Sequence, residues 1–178
     1  MSVRTLVLGG IRSGKSQWAE SAVLHAAGEQ SPVRYLATGP AADSDPAWAG
    51  RVSTHRARRP THWYTVESAD VAADLARDAT ATLVDDVGGW LTAAMDRRGA
   101  WTGASVDDDV AALVHAVSEF TAPLVLVSPE VGLTVVPATE AGRRFADELG
   151  TVNQKLAAVC DRVVLVVAGQ PVTVKEPS

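Results

Sequence analysis

The stretch GGIRSGKS at residues 9–16 comes almost directly behind the apolar run TLVL. Gly9, Gly14, Lys15 and Ser16 fit the spacing G-x-x-x-x-G-K-S. Few folds can use that spacing. It needs a strand that stops, a turn whose glycines let backbone N–H groups curl around phosphate oxygens, and a helix whose positive dipole end faces the same anion. A first strand over Arg4 to Leu8 follows from this, and a helix from about Lys15, where Trp18, Ala19, Ala22, Val23 and Ala26 recur at helical spacing up to Gly28. In such a cradle Lys15 neutralises the β and γ phosphates, and the Ser16 hydroxyl holds Mg²⁺. The pattern speaks for nucleotide binding and is silent on the reaction.

The remaining chain repeats the strand-then-helix rhythm. VRYLAT and HWYTV read as short strands, and ATLVDDV as a buried strand running into carboxylates. Between the first two, DSDPAWAGRVSTHRARRP reads as a helix entered through Asp45 and Pro46 and closed by Pro60. Asp107 to Phe120 has helical periodicity, PLVLVS is a core strand, and Thr139 to Cys160 gives one or two helices broken near Gly150. DRVVLVVAG and PVTVK close the pattern as two strands around the turn at Gly169 to Pro171. Residues 96–108 read as a mobile loop. Strands apolar on both faces and alternating with helices predict an α/β fold of the P-loop NTPase type, a mostly parallel sheet with helices on both faces. At 178 residues, without repeat or low-complexity linker, residues 1–178 are expected to form one domain.

Composition narrows the class of partner. A net charge of −5 lacks the basic footprint of a protein that wraps nucleic acid. Cys160 is the one cysteine, so no disulfide can form within the chain. No apolar run approaches the roughly 20 residues of a membrane span, and TLVL is too short for a secretory core. The expectation is a soluble cytoplasmic protein.

Three further features carry chemistry. Asp85 and Asp86 end the strand ATLVDD, where an acidic residue in a P-loop fold fixes Mg²⁺ through its water shell. Asp85, directly behind LV, is the candidate; a solvated turn carboxylate is the plain alternative. In THRARRP, Arg51, His55 and Arg58 fall at i, i+4 and i+7, on one face of the proposed helix. The arginines favour a neutral, nucleophilic imidazole, able to attack an α-phosphate, displace pyrophosphate and hold the nucleotidyl group as a phosphoramidate. A solvated basic helix face accounts for the same residues, and the segment alone does not choose. Glu67, behind HWYTV, is placed to accept hydrogen bonds from a ribose or guanine, or is an ordinary exposed acid. His25, His62 and His115 have no comparable setting.

Taken together, GGIRSGKSQWAE, YLAT, HRARRP, LVDD, EVGLTVVP and VNQKLAAVCDRVVLVVAG resemble, in that order and over nearly the whole chain, the bifunctional adenosylcobinamide kinase/adenosylcobinamide-phosphate guanylyltransferase family of cobalamin synthesis. The resemblance implies phosphorylation of adenosylcobinamide with ATP or GTP. Transfer of GMP from GTP onto that phosphate then follows, through a guanylylated histidine that is His55 here. It implies that Gly9, Gly10, Ile11, Arg12, Ser13, Gly14, Lys15 and Ser16 bind nucleotide phosphates. Ala37, Thr38 and Gly39, with Arg56, Ala57, Arg58, Arg59 and Glu67, would be further nucleotide contacts. It also implies a homo-oligomer, a trimer. Two places depart from the family pattern: Pro129 stands where asparagine is usual, and Asp86 to Gly89 replaces a C-L-T continuation. The competing functions are a small-molecule P-loop kinase without nucleotidyl transfer and a non-catalytic nucleotide-binding regulator.

Overall fold

Each apolar run is long enough for one strand, and each is interrupted by a helix that brings the chain back to the same edge, so parallel pairing is the natural outcome. The computed structural model describes residues 3–39 and 59–177. In chain order these form β1 (Arg4–Gly9), α1 (Lys15–Ala27), β2 (Val33–Ala37), β3 (Trp63–Glu67), α2 (Val71–Arg77), β4 (Thr82–Asp85) and α3 (Val87–Arg98). A 3₁₀ turn over Ala100–Thr102, α4 (Asp107–Glu119), β5 (Leu124–Pro129), α5 (Glu140–Val159), β6 (Arg162–Val167) and β7 (Gln170–Lys175) complete the order. The seven strands make one sheet in the order β3-β2-β4-β5-β1-β6-β7. All pairings are parallel except the β6–β7 hairpin.

Period-two alternation sends successive strand residues to opposite faces of the sheet. One face carries Val7, Tyr35, Leu83, Val125, Val127 and Val164 against Ala19 and Val23 of α1. The other carries Leu6, Leu36, Val84, Leu124, Leu126 and Val163 against apolar residues of α2 to α5. Helices on both faces of a mostly parallel sheet are what the sequence leads one to expect, though among the described residues the division is uneven, with α1 alone against the first face.

Two expectations are corrected. Residues 96–108 are packed structure: Gly99 ends α3 at φ 68°, Ala100 and Val106 are buried, and Trp101 donates to Asp96 and stacks on Phe145. Polar composition hid two buried anchors. Nor does the last helix break at Gly150; α5 runs unbroken through it. A mid-helix glycine costs about 1 kcal/mol relative to alanine, and burial of Leu149, Val152 and Leu156 around it outweighs that. The helix expected within residues 43–60 falls almost wholly outside the described residues, as do Arg51, His55, Arg56, Ala57 and Arg58.

Candidate nucleotide site

Strand register lines up the candidates along the carboxyl ends of the parallel strands, where α/β sheets collect ligands. Ala37 sits opposite both Glu67 and Asp85, and Asp85 opposite Val127. On the other flank Gly9 lies opposite Pro129 and Val166. One strand, β5, separates β4 from β1, so Asp85 is roughly 10 Å across the sheet from the strand that carries the cradle. Glu67 is four strand steps from β1, about 19 Å. It belongs with the segment around Arg59, away from the phosphate cradle.

The cradle has the geometry its sequence requires. Arg12 takes φ 55° and Gly14 φ 92°, and the Ser13 amide bonds back to the Gly10 carbonyl at 3.3 Å. A side chain at Gly14 would put its Cβ 3.1 Å from the Gly169 Cα, and one at Gly9 would come within 2.9 Å of the Val166 carbonyl oxygen. The Gly169 amide donates to the Ser13 carbonyl at 2.7 Å, so the β6–β7 turn braces the loop from behind. Lys15 lies over the loop, its Nζ donating to the Gly10 carbonyl at 3.1 Å.

Helix N-termini normally satisfy their free N–H groups with a capping side chain. Asp70, Asp86 and Thr139 cap α2, α3 and α5 in this way. At α1 the cap position is Gly14, no side chain among the described residues caps it, and its first turn has no acid. The amides and positive dipole end of α1 are therefore available to an anion, which is how a phosphate is held at such a terminus.

Two carboxylates stand at the carboxyl end of β4, Asp85 as its last residue and Asp86 directly after it. Asp85 accepts a hydrogen bond on Oδ2 from the Tyr35 hydroxyl. Asp86 caps α3 by accepting from the Gly89 amide at 2.7 Å. Burial, and then the charge of Asp85, push the Asp86 carboxyl above the usual carboxylate range, while Lys15 pulls it the other way. Asp86 is thus within electrostatic reach of the cradle lysine, a role the sequence did not single out for it. Its spacing from Gly89, three residues on, is an N-cap signal that points to it afterwards.

Ala37, Thr38 and Gly39 join the same edge. The Thr38 amide donates to the Asp85 carbonyl at 3.2 Å, and its hydroxyl donates to the Asp86 carbonyl. A Cβ on Gly89 would meet Thr38 Oγ1 at 3.1 Å, so glycine there lets this loop close on α3. The departures from the family pattern touch one another: a Cβ on Gly88 would approach the Pro129 ring to 3.0 Å. Pro129 lies beyond the last β4–β5 pair, so its missing N–H interrupts no ladder bond there. Its carbonyl accepts from Asn153 Nδ2 at 3.1 Å, and Asn153 Oδ1 accepts from the buried Ser128 hydroxyl at 2.6 Å. Glu130 then donates its amide to the Gly9 carbonyl, and its side chain accepts from Gly132.

Of the H-R-x-x-R-P box only Arg59 and Pro60 lie within the described residues. The Arg59 guanidinium carbon stands 3.3 Å from the centroid of the Tyr35 ring, and NH1 donates to Thr65 Oγ1 at 3.0 Å. The structure thus brings Gly9 to Ser16, Ala37 to Gly39 and Asp85 along one edge, and sets Arg59 and Glu67 on its far part.

Comparison with known proteins decides the lineage. The family model for cobinamide kinase/cobinamide phosphate guanyltransferase matches residues 5–174. The chain belongs to that family. It is 40% identical over 180 residues to the bifunctional adenosylcobalamin biosynthesis protein CobP of Pseudomonas aeruginosa, covering 97% of this chain and 98% of the relative. It is 37% identical over 191 residues to the corresponding CobU protein of Salmonella typhimurium, covering 96% and 98%. Among solved structures, that of PH0250 from Pyrococcus horikoshii OT3 shares the fold with a TM-score of 0.51 at 10% identity, over 100% of this chain and 89% of that one. Nucleotide substrates fit both the family and the cradle. No helix among the described residues is long and apolar enough to cross a membrane.

Proposed function

We propose that residues 1–178 act as one catalytic domain carrying out both reactions of the family. In the first, the γ-phosphoryl group of ATP or GTP passes to the aminopropanol hydroxyl of adenosylcobinamide. In the second, an imidazole nitrogen of His55 attacks the α-phosphorus of GTP, the bond to the bridging oxygen breaks, and pyrophosphate leaves. An oxygen of adenosylcobinamide phosphate then attacks the phosphoramidate, the P–N bond breaks, and adenosylcobinamide-GDP is released with the histidine restored. The observation that carries this reading is the uncapped N-terminus of α1 behind a glycine cradle, in a chain of this family.

Each residue has a task that follows from its chemistry. Backbone amides of Gly9 to Gly14 and the first turn of α1, including Lys15 and Ser16, hold the phosphates and offset the charge that develops on them. Arg56, Arg58 and Arg59, with Ala57, are assigned to the nucleotide in the same box as His55, where cations would stabilise the pentavalent α-phosphorus. Ala37 to Gly39 and Glu67 contact the rest of the nucleotide. The donors near the cradle are hard oxygens, the Ser16 hydroxyl and the Asp85 carboxylate, as Mg²⁺ prefers. Ser16 and Asp85 would hold it, and when bound it supplies charge neutralisation across the transferring phosphoryl group. The enzyme would work in the cytoplasm as a homo-trimer, which light scattering on the eluting peak can test.

The decisive experiment supplies adenosylcobinamide, Mg²⁺ and either ATP or GTP, and identifies the corrinoid products by mass. Wild-type protein should give the GDP derivative with GTP, and His55→Ala should stop at the monophosphate. Labelled GTP should leave an acid-labile, base-stable adduct on His55. An undiminished adduct in His55→Ala would refute the nucleophile, and monophosphate alone from the wild type would refute the second activity.

A further inference from the structure

Between the cradle and the arginine segment stands one side chain that touches both halves of the site. Tyr35 is the third residue of β2, buried at 4% exposure, with β3 on one side and β4 on the other. Register sets it opposite Thr65 of β3 and Leu83 of β4. Because side chains alternate, Tyr35, Thr65 and Asp85 share one face of the sheet. The Tyr35 hydroxyl donates to Asp85 Oδ2. The Arg59 guanidinium lies 3.3 Å over its ring and reaches Thr65 with NH1.

We propose that Tyr35 is a positioning residue that orients the Asp85 carboxylate with its hydroxyl and seats Arg59 on its ring, so that the metal carboxylate and the last arginine of the H-R-x-x-R-P box are held by a single side chain. The inference rests on the assignment of Asp85 to Mg²⁺ made above. A carboxylate ligand whose second oxygen is held by a fixed donor does not have to be ordered when the cation arrives, and loss of such a donor weakens metal affinity by about 10–100-fold. With Oδ2 engaged by Tyr35, Oδ1 is the oxygen left for the ion or its water. At the ring, a guanidinium over an aromatic face is attracted by the ring quadrupole, more so when removed from water. That contact and the bond to Thr65 fix the last arginine of the box. Arg59 follows His55 by four positions in the chain, so loss of its anchor is expected to be read in labelling of the protein by GTP. Among the described residues Arg59 Nε is buried without a hydrogen-bond partner, which a solvated surface arginine would not be.

The two contacts use different parts of the phenol, so two substitutions separate them. Tyr35→Phe removes the hydroxyl and keeps the ring; Tyr35→Leu removes both. Mn²⁺ binding to full-length protein with a non-hydrolysable GTP analogue, followed by electron paramagnetic resonance, reads the carboxylate without turnover. Labelling of the protein by GTP at saturating metal reads the arginine segment. Tyr35→Phe should weaken Mn²⁺ about tenfold and leave labelling near the wild-type level. Tyr35→Leu should weaken Mn²⁺ to the same extent and also slow labelling by about fivefold. Wild-type Mn²⁺ affinity in Tyr35→Phe overturns the proposal, as does equal labelling by the two variants. Tyr35→Phe keeps the ring volume, so it decides the hydroxyl contact even if Tyr35→Leu does not fold. Asp85→Asn separates the two levels of the argument. If it binds Mn²⁺ like the wild type, the assignment of Asp85 fails and Tyr35 falls with it. If it binds weakly while Tyr35→Phe binds normally, only the role of Tyr35 is wrong.

Discussion

The two ends of the parallel strands treat charge in opposite ways. At the amino end, cations are bound within the fold. Arg4 makes a two-pronged contact with Asp161 and donates to the Ser118 carbonyl at 2.6 Å. Arg34 reaches Asp78 at 3.0 Å and Thr82 at 3.1 Å. Lys175 donates to the carbonyls of Ala157, Ala158 and Cys160 where α5 ends, the pole at which a helix attracts cations. At the carboxyl end, α1 starts on a bare glycine and Lys15 has one loop carbonyl. One end engages its cations with partners inside the fold; the other leaves the α1 terminus without a capping side chain among the described residues. The same sheet supports both because parallel strands put every strand-to-helix turn on the same side.

The sharpest way to break this contrast is to remove the cradle cation. Lys15→Ala should lower phosphoryl transfer about 10³-fold, as loss of a donor aimed at developing charge does, with no fall in the unfolding midpoint. A matching loss of stability would mean that the carboxyl end also holds the fold together. Next in size is Arg4→Met, expected to cost about 1–2 kcal/mol for a charge-assisted pair that is partly exposed. Denaturant unfolding measures that loss, and the maximal rate of the folded enzyme should not move.

The same pair makes a pH prediction. The hydrogen bond from Arg4 is the main reason that the Asp161 carboxyl lies below its usual range. A carboxyl depressed in the folded state binds fewer protons there than in the unfolded chain, so stability rises with pH across that interval. The contribution is complete above the ordinary carboxylate value and is lost as pH falls through the lower folded one. Asp161→Asn should therefore be less stable than wild type near neutrality, and the gap should close in acid. A gap of constant size from pH 7 to pH 2 would place the effect elsewhere. The smallest effect is expected from Lys175→Met, roughly 0.5–1 kcal/mol for a cation at a helix C-terminus, again in stability and not in turnover.

What could be read in advance divides along similar lines. The cradle and the strands were legible because each depends on a short local pattern: glycines at fixed spacing, or an unbroken apolar run. Helix α3 was not, since VGGW carries two glycines that depress helix propensity, and the second of them is there to admit Thr38. At seven residues α2 is too short to show a period. Gly150 was misread as a break because propensity is local and the burial that overrides it is not. Tyr35 was read only as part of the strand VRYLAT and of the YLAT segment, with no role of its own. Its importance comes from register across three strands and from an arginine 24 positions away in the chain, and neither is a property of its neighbours in sequence.

The bond from the Gly169 amide to the Ser13 carbonyl makes the C-terminal hairpin a gauge of the phosphate loop. Any opening of that loop that moves Ser13 must release this one proton to solvent. Its exchange with deuterium would therefore time the breathing of the cradle at a position outside the loop itself, free of overlap with the amides of the loop.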